Sequence, residues 1–364
     1  MAEYSTGQLA GVGEISAYMW PTYKRLTSAQ GGDVSASFQF GGHDALLEDW
    51  FYNYLGREFE ELYAGQRPFY GRIHTMRLAY NRLTLTVSLD WLFNRIACAY
   101  TSALDGSTLY TSFFEDANSV GRWGARELII RPEDNTIGLS EAEELAQDLL
   151  GEFASPRISR GEVQGKLDRG QLQVTVQGWG QALDVQLIRE EVEGEDDADA
   201  EVAVALTGAS LVITGDIAAN TRQVSIKFDW QSRLKRLEWL AGRRDAYGRR
   251  YVFGCFGSRS FSYQPAEADP RYLIWTKRQA VEHYTAGNDY VPAPLVMPGS
   301  YSKIQDMQAP ASTAVNLDAA LQWDESVIYD RSGATLRGGA WGVQERTAAL
   351  QMALTAGRLE GGEG

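Results

Sequence analysis

Cysteine is almost missing from this sequence, with two residues, Cys98 and Cys255, in 364. That excludes a disulfide-stapled scaffold. Each sits in apolar company, Ile96-Ala97-Cys98-Ala99-Tyr100 and Val252-Phe253-Gly254-Cys255-Phe256, which reads as a small buried hydrophobe. Histidine is as scarce, and His43, His74 and His283 lack the paired spacing of a zinc site. Positive charge is in deficit: 34 Lys and Arg stand against 48 Asp and Glu, a net −14. A nucleic-acid wrapper or a binder of anionic membranes needs the opposite balance. Runs such as Leu128-Ile129-Ile130 stay far short of the ~18 apolar residues that mark a membrane span. The first residues, Met1 to Ser16, show no basic-then-apolar leader, so folding in the cytoplasm with reduced cysteines is expected. The glycine-rich last residues, 357–364, read as a frayed tail.

What is present is globular: 44% hydrophobic residues and 11% aromatic, including 10 Trp and 18 Tyr. At roughly 150 residues per domain, the length suggests two or three domains. Alternation predicts short strands at Val34 to Phe40, Glu58 to Tyr63 and Leu172 to Val176. Phe69–Leu78 and Leu83–Leu89 read as a hairpin turning at Asn81, and Arg250–Tyr263 as strands around Gly254 and Gly257. Val327–Leu336 reads as a hairpin over Ser332-Gly333, and Pro298-Gly299 as a turn. Residues 45–54 offer a helix face of Leu46, Leu47, Trp50 and Tyr54, broken at Gly56. Two helices have clearer patterns. One runs through Ala142, Leu145, Ala146, Leu149 and Leu150, with Ser140 as N-cap and Glu143 completing a capping box, and ends at Gly151. The other lies near 230–241, with Leu234, Leu237 and Leu240 on one side. Ser119–Glu127 reads as a Gly/Arg-rich link, and residues 190–201, eight acids in twelve, as a solvated protruding loop. Arg82–Trp91 and Gln171–Trp179 echo one another, an alternating strand leading to Trp, as two copies of one module would.

The chemistry-bearing patterns are thin. Gly11-Val12-Gly13 lacks the third glycine of a dinucleotide site, and neither a phosphate-binding loop nor a Gly-x-Ser-x-Gly elbow is present. Cys255 or Ser258 among glycines could be a nucleophile only with a base such as His283 brought to it. Glu115/Asp116 and Asp324/Glu325 are sequence neighbours, which on a strand face opposite ways and cannot flank one glycosidic bond. Trp50, Phe51, Tyr52 and Tyr54 read as core or interface before they read as a sugar platform. No catalytic, cofactor-binding or metal-binding residue is nominated, and no cofactor is expected.

Several segments, taken in order, resemble one family. They are Leu55-Gly56-Arg57-Glu58, Gly71-Arg72-Ile73, Thr86 to Asp90, Asn94-Arg95-Ile96 with Tyr100, Ser119 to Glu127, the helix Ala142 to Leu150, Pro156, the strand Leu172 to Val176, Gly178-Trp179 with Leu183, Tyr247 to Tyr251, Ser258-Arg259 with Tyr263, Val296 to Gly299, Asp306, and Tyr329-Asp330. The chain is similar through these to the tail-tip or baseplate hub (minor tail) proteins of tailed bacteriophages. The resemblance implies a mainly β, α+β chain of two tail-tube-like β-barrels with small α/β insertions and two short helices. It implies residues 1–125 as a first barrel with an N-terminal arm, 126–165 as a helical insertion, 166–245 as the start of a second barrel with the acidic loop, and 246–364 as its remainder. It implies a non-enzymatic homotrimer in the virion tail, joining a six-fold tube to a three-fold tip. Its partners would be the distal tail or tube protein, the tape-measure protein and a tip or fibre protein, with DNA passing without specific binding and no insertion into a membrane. A hexameric distal tail ring protein, or a glycan-binding or glycan-cleaving tail protein, is the competing expectation. With −14 on the chain, the channel wall is expected to carry more Asp and Glu than the outer face.

Overall fold

Alternation of apolar with small polar residues builds the centre of the molecule. The computed structural model describes residues 6–10, 12–15, 25–29, 31–41, 43–102, 104–132, 137–189, 195–225 and 230–266, and beyond these the strands given below. The first strands are β1 (Thr6–Leu9), β2 (Gly13–Glu14), β3 (Arg25–Ala29) and β4 (Gly31–Gly41), followed by helix α1 (Asp44–Asn53), β5 (Glu58–Tyr63) and β6 (Gln66–Ser88). β6 doubles back on itself. The Leu89 amide donates to the His74 carbonyl, and the Thr75 and Ser88 hydroxyls lie 2.7 Å apart. That register centres the turn on Asn81-Arg82, as the sequence predicts. One face of β4 (Ala36, Phe38, Phe40) and of β6 (Ile73, Met76, Leu78, Leu85, Val87) is buried beneath α1, which contributes Leu47, Trp50 and Phe51. Each such side chain adds about 1.5–3 kcal/mol by leaving water. The Trp50 ring stands edge-on to Phe40 at 4.2 Å, while Leu46 turns outward.

A smaller layer follows. β7 (Arg95–Thr101) pairs with β8 (Thr108–Tyr110) and β9 (Phe114–Glu115); α2 (Ala117–Trp123) then leads to β10 (Glu127–Ile130), which lies parallel to β7. Thus the expected link at 119–127 is instead mostly helix. The Asp116 carboxylate caps α2 by accepting from the Ser119 amide at 2.9 Å, a start signal within a Gly/Arg-rich stretch. Helix α3 (Leu139–Phe153) lays Ala142 and Ala146 on Ile96 and Cys98. It starts one residue before Ser140, because Glu141 reaches back to the Gly138 amide, and it runs through Gly151 to Phe153.

β11 (Ile158–Gly178) then embraces the β6 hairpin. Ile158–Glu162 run along its second arm (Leu83–Val87), Leu167 lies opposite Asn81 near the tip, and Gln171–Gly178 run along the first arm (Gly71–Ala79). The far side of this last stretch pairs with β4. Leu83–Leu89 and Leu172–Val176, the two halves of the sequence echo, are therefore strands of one sheet separated by a single arm. Positions 165 and 166 lie within β11.

A second core is built from a 3-10 turn at Trp179–Val185, β12 (Leu187–Ile188), β13 (Glu195–Asp197), α4 (Ala198–Leu206), β14 (Ile213–Ile217), β15 (Gln223–Ser225), β16 (Gln231–Ser232), α5 (Arg233–Ala241), β17 (Tyr251–Cys255) and β18 (Ser260–Pro265). Ser232 caps α5, whose Leu234, Leu237 and Leu240 are buried as the spacing predicts. The acidic block is the clear departure. Its described part, 195–201, is not a protruding loop but a paired strand and the first turn of α4. Ala198, Val202, Ala205 and Leu206 pull that helix into the core, and Glu201 goes with them because Arg236 of α5, 1% exposed, pairs with its carboxylate.

The two cores meet at a seam of bare backbone. A Cβ on Gly178 would overlap the Asp33 carbonyl, and one on Gly254 (φ +134°) would overlap Gly31 and Gly32, so neither position admits a side chain. Here β17 pairs in parallel with the start of β4. The buried Asp33 carboxylate completes the joint, accepting from the Tyr70 amide at 2.9 Å and the Gly257 amide at 2.8 Å.

Later strands extend the sheet beyond β3: β19 (Tyr272–Lys277), β20 (Ala280–Ala286), β21 (Asp289–Val291), β22 (Tyr301–Asp306), β23 (Leu321–Asp330) and β24 (Gly333–Gly339). β23 pairs with β3, and β23 with β24 forms the hairpin expected near 332, its two turn residues lying outside the described ones. The Pro298-Gly299 turn and the C-terminal tail also lie outside them. The mainly β, α+β class holds, with sixteen strands in the main sheet among the described residues. Two details of the expectation are corrected. Among the described residues the main sheet path runs from β2 to β21 without closing, so no complete barrel is formed. And among the described residues there are five α-helices rather than two: α1, where residues 45–54 already offered a helix face, and the short α2 and α4 add to the two with clearer patterns.

Two measurements check these joints. Arg236→Met should cost about 3–5 kcal/mol in denaturant unfolding by stranding Glu201, and Arg236→Met with Glu201→Leu should recover most of it. Asp33→Ala strands two buried amides and should lower stability by roughly 2–5 kcal/mol, more than Asp33→Asn, which keeps one acceptor.

Candidate functional site

The sequence candidates for chemistry are dispersed. Cys255 is fully buried; burial, with Asp33 nearby, pushes its thiol up to about 12, which removes it as a nucleophile at neutral pH. His283 lies on β20, and its side chain is outside the described residues. Cys98 is likewise buried in the other layer. Glu115 pairs with Arg95 while Asp116 caps α2, so these neighbours do separate work. Trp50 and Phe51 are core and Tyr52 is exposed. Among the described residues no group of His, Cys, Asp or Glu could hold a metal ion, and no helix is long and apolar enough to cross a membrane.

Two features replace them. The first is the face of the central sheet opposite the core. Its register brings Ser35, Ser37 and Gln39 of β4 alongside Gln171, Gln173, Thr175 and Gln177 of β11, then Thr75, Arg77 and Ala79 of one β6 arm. Thr84, Thr86 and Ser88 of the other arm and Ser159 of β11 continue it. Gln173, Thr175, Arg77 and Ser159 are exposed, and most of the others are half-buried. This is a carpet of hydroxyls and amides, bounded at one end by buried Asp33 and Arg72, with Arg77 as its one exposed charge among the described side chains of β4, β6 and β11. The signal was legible in the alternation, but which strands would lie side by side was not.

The second is a pair of clusters that gathers the residues carrying the family resemblance. At one, Glu58 pairs with Arg259 and accepts the Tyr70 hydroxyl at 2.6 Å; Arg259 lies 3.9 Å over the Trp179 ring, which also meets Tyr70 edge-on. Burial, then the bond to Glu58, push the Tyr70 phenol up. At the other, Trp123 packs over Gly56, and Arg72 donates to the Trp123 carbonyl at 2.6 Å. Arg126 donates to the Leu92 carbonyl at 2.8 Å, while Asn94 bridges the Gly124 carbonyl and the Arg126 amide. Both guanidiniums are buried, which lowers Arg72 to about 9 and Arg126 to about 10, so both stay charged at neutral pH. Beside them His74 bonds through Nε2 to Asp90 at 2.7 Å. Burial depresses the imidazole, and the bond to His74 holds Asp90 down to about 2; the pair is a neutral imidazole donating to a carboxylate. These clusters join distant segments of the chain, and most of their polar groups are bonded to one another or to backbone carbonyls.

No family model matches the chain, and no curated relative does. Among the solved structures that it is similar to are two tail proteins. One is the 43 kDa tail protein of prophage MuSo2 from Shewanella oneidensis, 7% identical with TM-score 0.39, covering 93% of this chain and 96% of that one. The other is the tail protein from Neisseria meningitidis MC58, 8% identical with TM-score 0.43, covering 94% and 98%.

The His74–Asp90 pair sets a pH dependence. Both groups titrate lower in the folded chain than in the unfolded one, so the unfolded chain binds more protons and stability falls as pH drops. The histidine contribution declines below about 6.5, and the aspartate contribution below about 4. Melting temperature should decrease from pH 7 to pH 5, and His74→Gln, which keeps a donor toward Asp90, should flatten that decrease.

Proposed function

We propose that the chain is a structural component of a virion tail: a trimeric tip or baseplate hub that joins a six-fold tube to a three-fold tip and lines the channel through which DNA leaves. The observation that carries this reading is the Ser/Thr/Gln face. DNA adheres to proteins chiefly by releasing counterions to rows of Lys and Arg. A sheet face several strands wide, lined by hydroxyls and amides and, among the described side chains of β4, β6 and β11, carrying Arg77 as its one exposed cation, offers no such row there. The acidic wall expected from the net charge does not describe this face; neutrality, rather than repulsion, would let phosphates slide past. The open sheet suits a subunit that completes a ring with its copies through its outer strands. The family resemblance supplies the neighbours: a distal tail or tube protein above, a tape-measure protein within and a tip or fibre protein below.

The purified chain should run as a trimer of about 121 kDa, three times 40.3 kDa, and the polar face should line the three-fold axis in electron-microscopy density. A hexamer would overturn the hub in favour of a distal ring. In assembled particles, Gln173→Lys with Thr175→Lys should slow DNA release in a salt-dependent way; unchanged release would show that the face points elsewhere.

A further inference from the structure

The cluster at Arg72 and Arg126 is short of negative charge. Arg126 is 2% exposed and Arg72 4% exposed. The bonds they make here are to neutral carbonyls, at Trp123 and Leu92. Arg72 feels the charges of Arg126 and Arg259, and Glu58, which stands opposite it on β5, is paired with Arg259. Asp90 is the acid in reach of Arg126, but its side chain is 61% exposed at the rim and accepts from His74 and Ser88. Two polar atoms in this cluster are buried without a partner: Nη1 of Arg126 and Nδ1 of His74. A buried cation without an anion is costly, and two side by side more so. Guanidinium forks match oxyanions in shape and charge.

We propose that Arg72 and Arg126, with His74 beside them, form a seat for one small oxyanion per chain, of the phosphate or sulfate class. Nη1 of Arg126 donates to it, and Arg72 balances its second charge. A hydrogen phosphate has, in addition, a hydroxyl that can donate to the lone pair on Nδ1 of the neutral imidazole. The seat stands at the junction of β6, α2 and β10, so an occupied seat ties these three elements together. This assignment is independent of the tail reading.

Equilibrium dialysis of the full chain with radiolabelled inorganic phosphate should give one bound phosphate per chain. Melting temperature should rise saturably with phosphate or sulfate at constant ionic strength, with sodium chloride giving no matching rise. Arg126→Met should abolish both effects, and Arg72→Lys, which keeps the charge but loses the fork, should weaken binding several-fold. No bound phosphate on the wild-type chain overturns the proposal and leaves a water as the occupant, a result that stands even if the variants fail to fold. Equal binding by a folded Arg126→Met variant overturns it as well.

Discussion

The structure depends on one close approach, where the backbones of Asp33, Gly178 and Gly254 meet without intervening side chains and the Asp33 carboxylate bonds the amides of Tyr70 and Gly257. The core under α1 lies on one side of that seam and the core under α4 and α5 on the other. A glycine contact transmits position without slack, and a buried carboxylate with two amide donors fixes direction. The two cores are thereby one rigid unit at this point rather than beads on a string. β4, β6, β11 and β17 each send one end into it.

Charge is handled by the same economy. The chain carries 48 acids, and two that enter the interior do so with a cation waiting, Glu201 with Arg236 and Glu127 with Arg95, while Asp33 is held by backbone amides. The acidic stretch at 195–201 shows how far this goes. A run that would be solvated on its own is drawn inward by the alanines and valines that follow it. The exception to the balance is the arginine pair at Arg72 and Arg126, where cations outnumber anions. It lies among the residues that carry the family resemblance.

The sheet face opposite the core obeys a different rule. Threonine favours the pleated sheet, and serine and glutamine keep a half-buried face wet without bringing charge to it. A chain of net −14 thus presents, among its described side chains, a broad face with little charge, because the total charge and the charge of one face are set by different residues.

By itself, the sequence determined which residues turn inward. Alternation marked Phe38, Phe40, Leu172, Val174 and Val176, and helical spacing marked Leu234, Leu237 and Leu240, all of them buried. It placed the hairpin turn at Asn81, the break at Gly56 and the two reduced, buried cysteines. The resemblance motifs were visible as words but not as a joint. Only the tertiary structure decided that β11 wraps both arms of β6, that Arg72 and Trp123 touch across 51 positions, and that the acidic block starts a packed helix. The reason is physical. A period of two fixes the face a side chain takes and says nothing about which strand lies beside it, and the cost of burying a carboxylate depends on a cation 35 residues away. For the same reason the sheet's failure to close within the described chain was not legible, since closure is a property of the first and last strands together and not of either one.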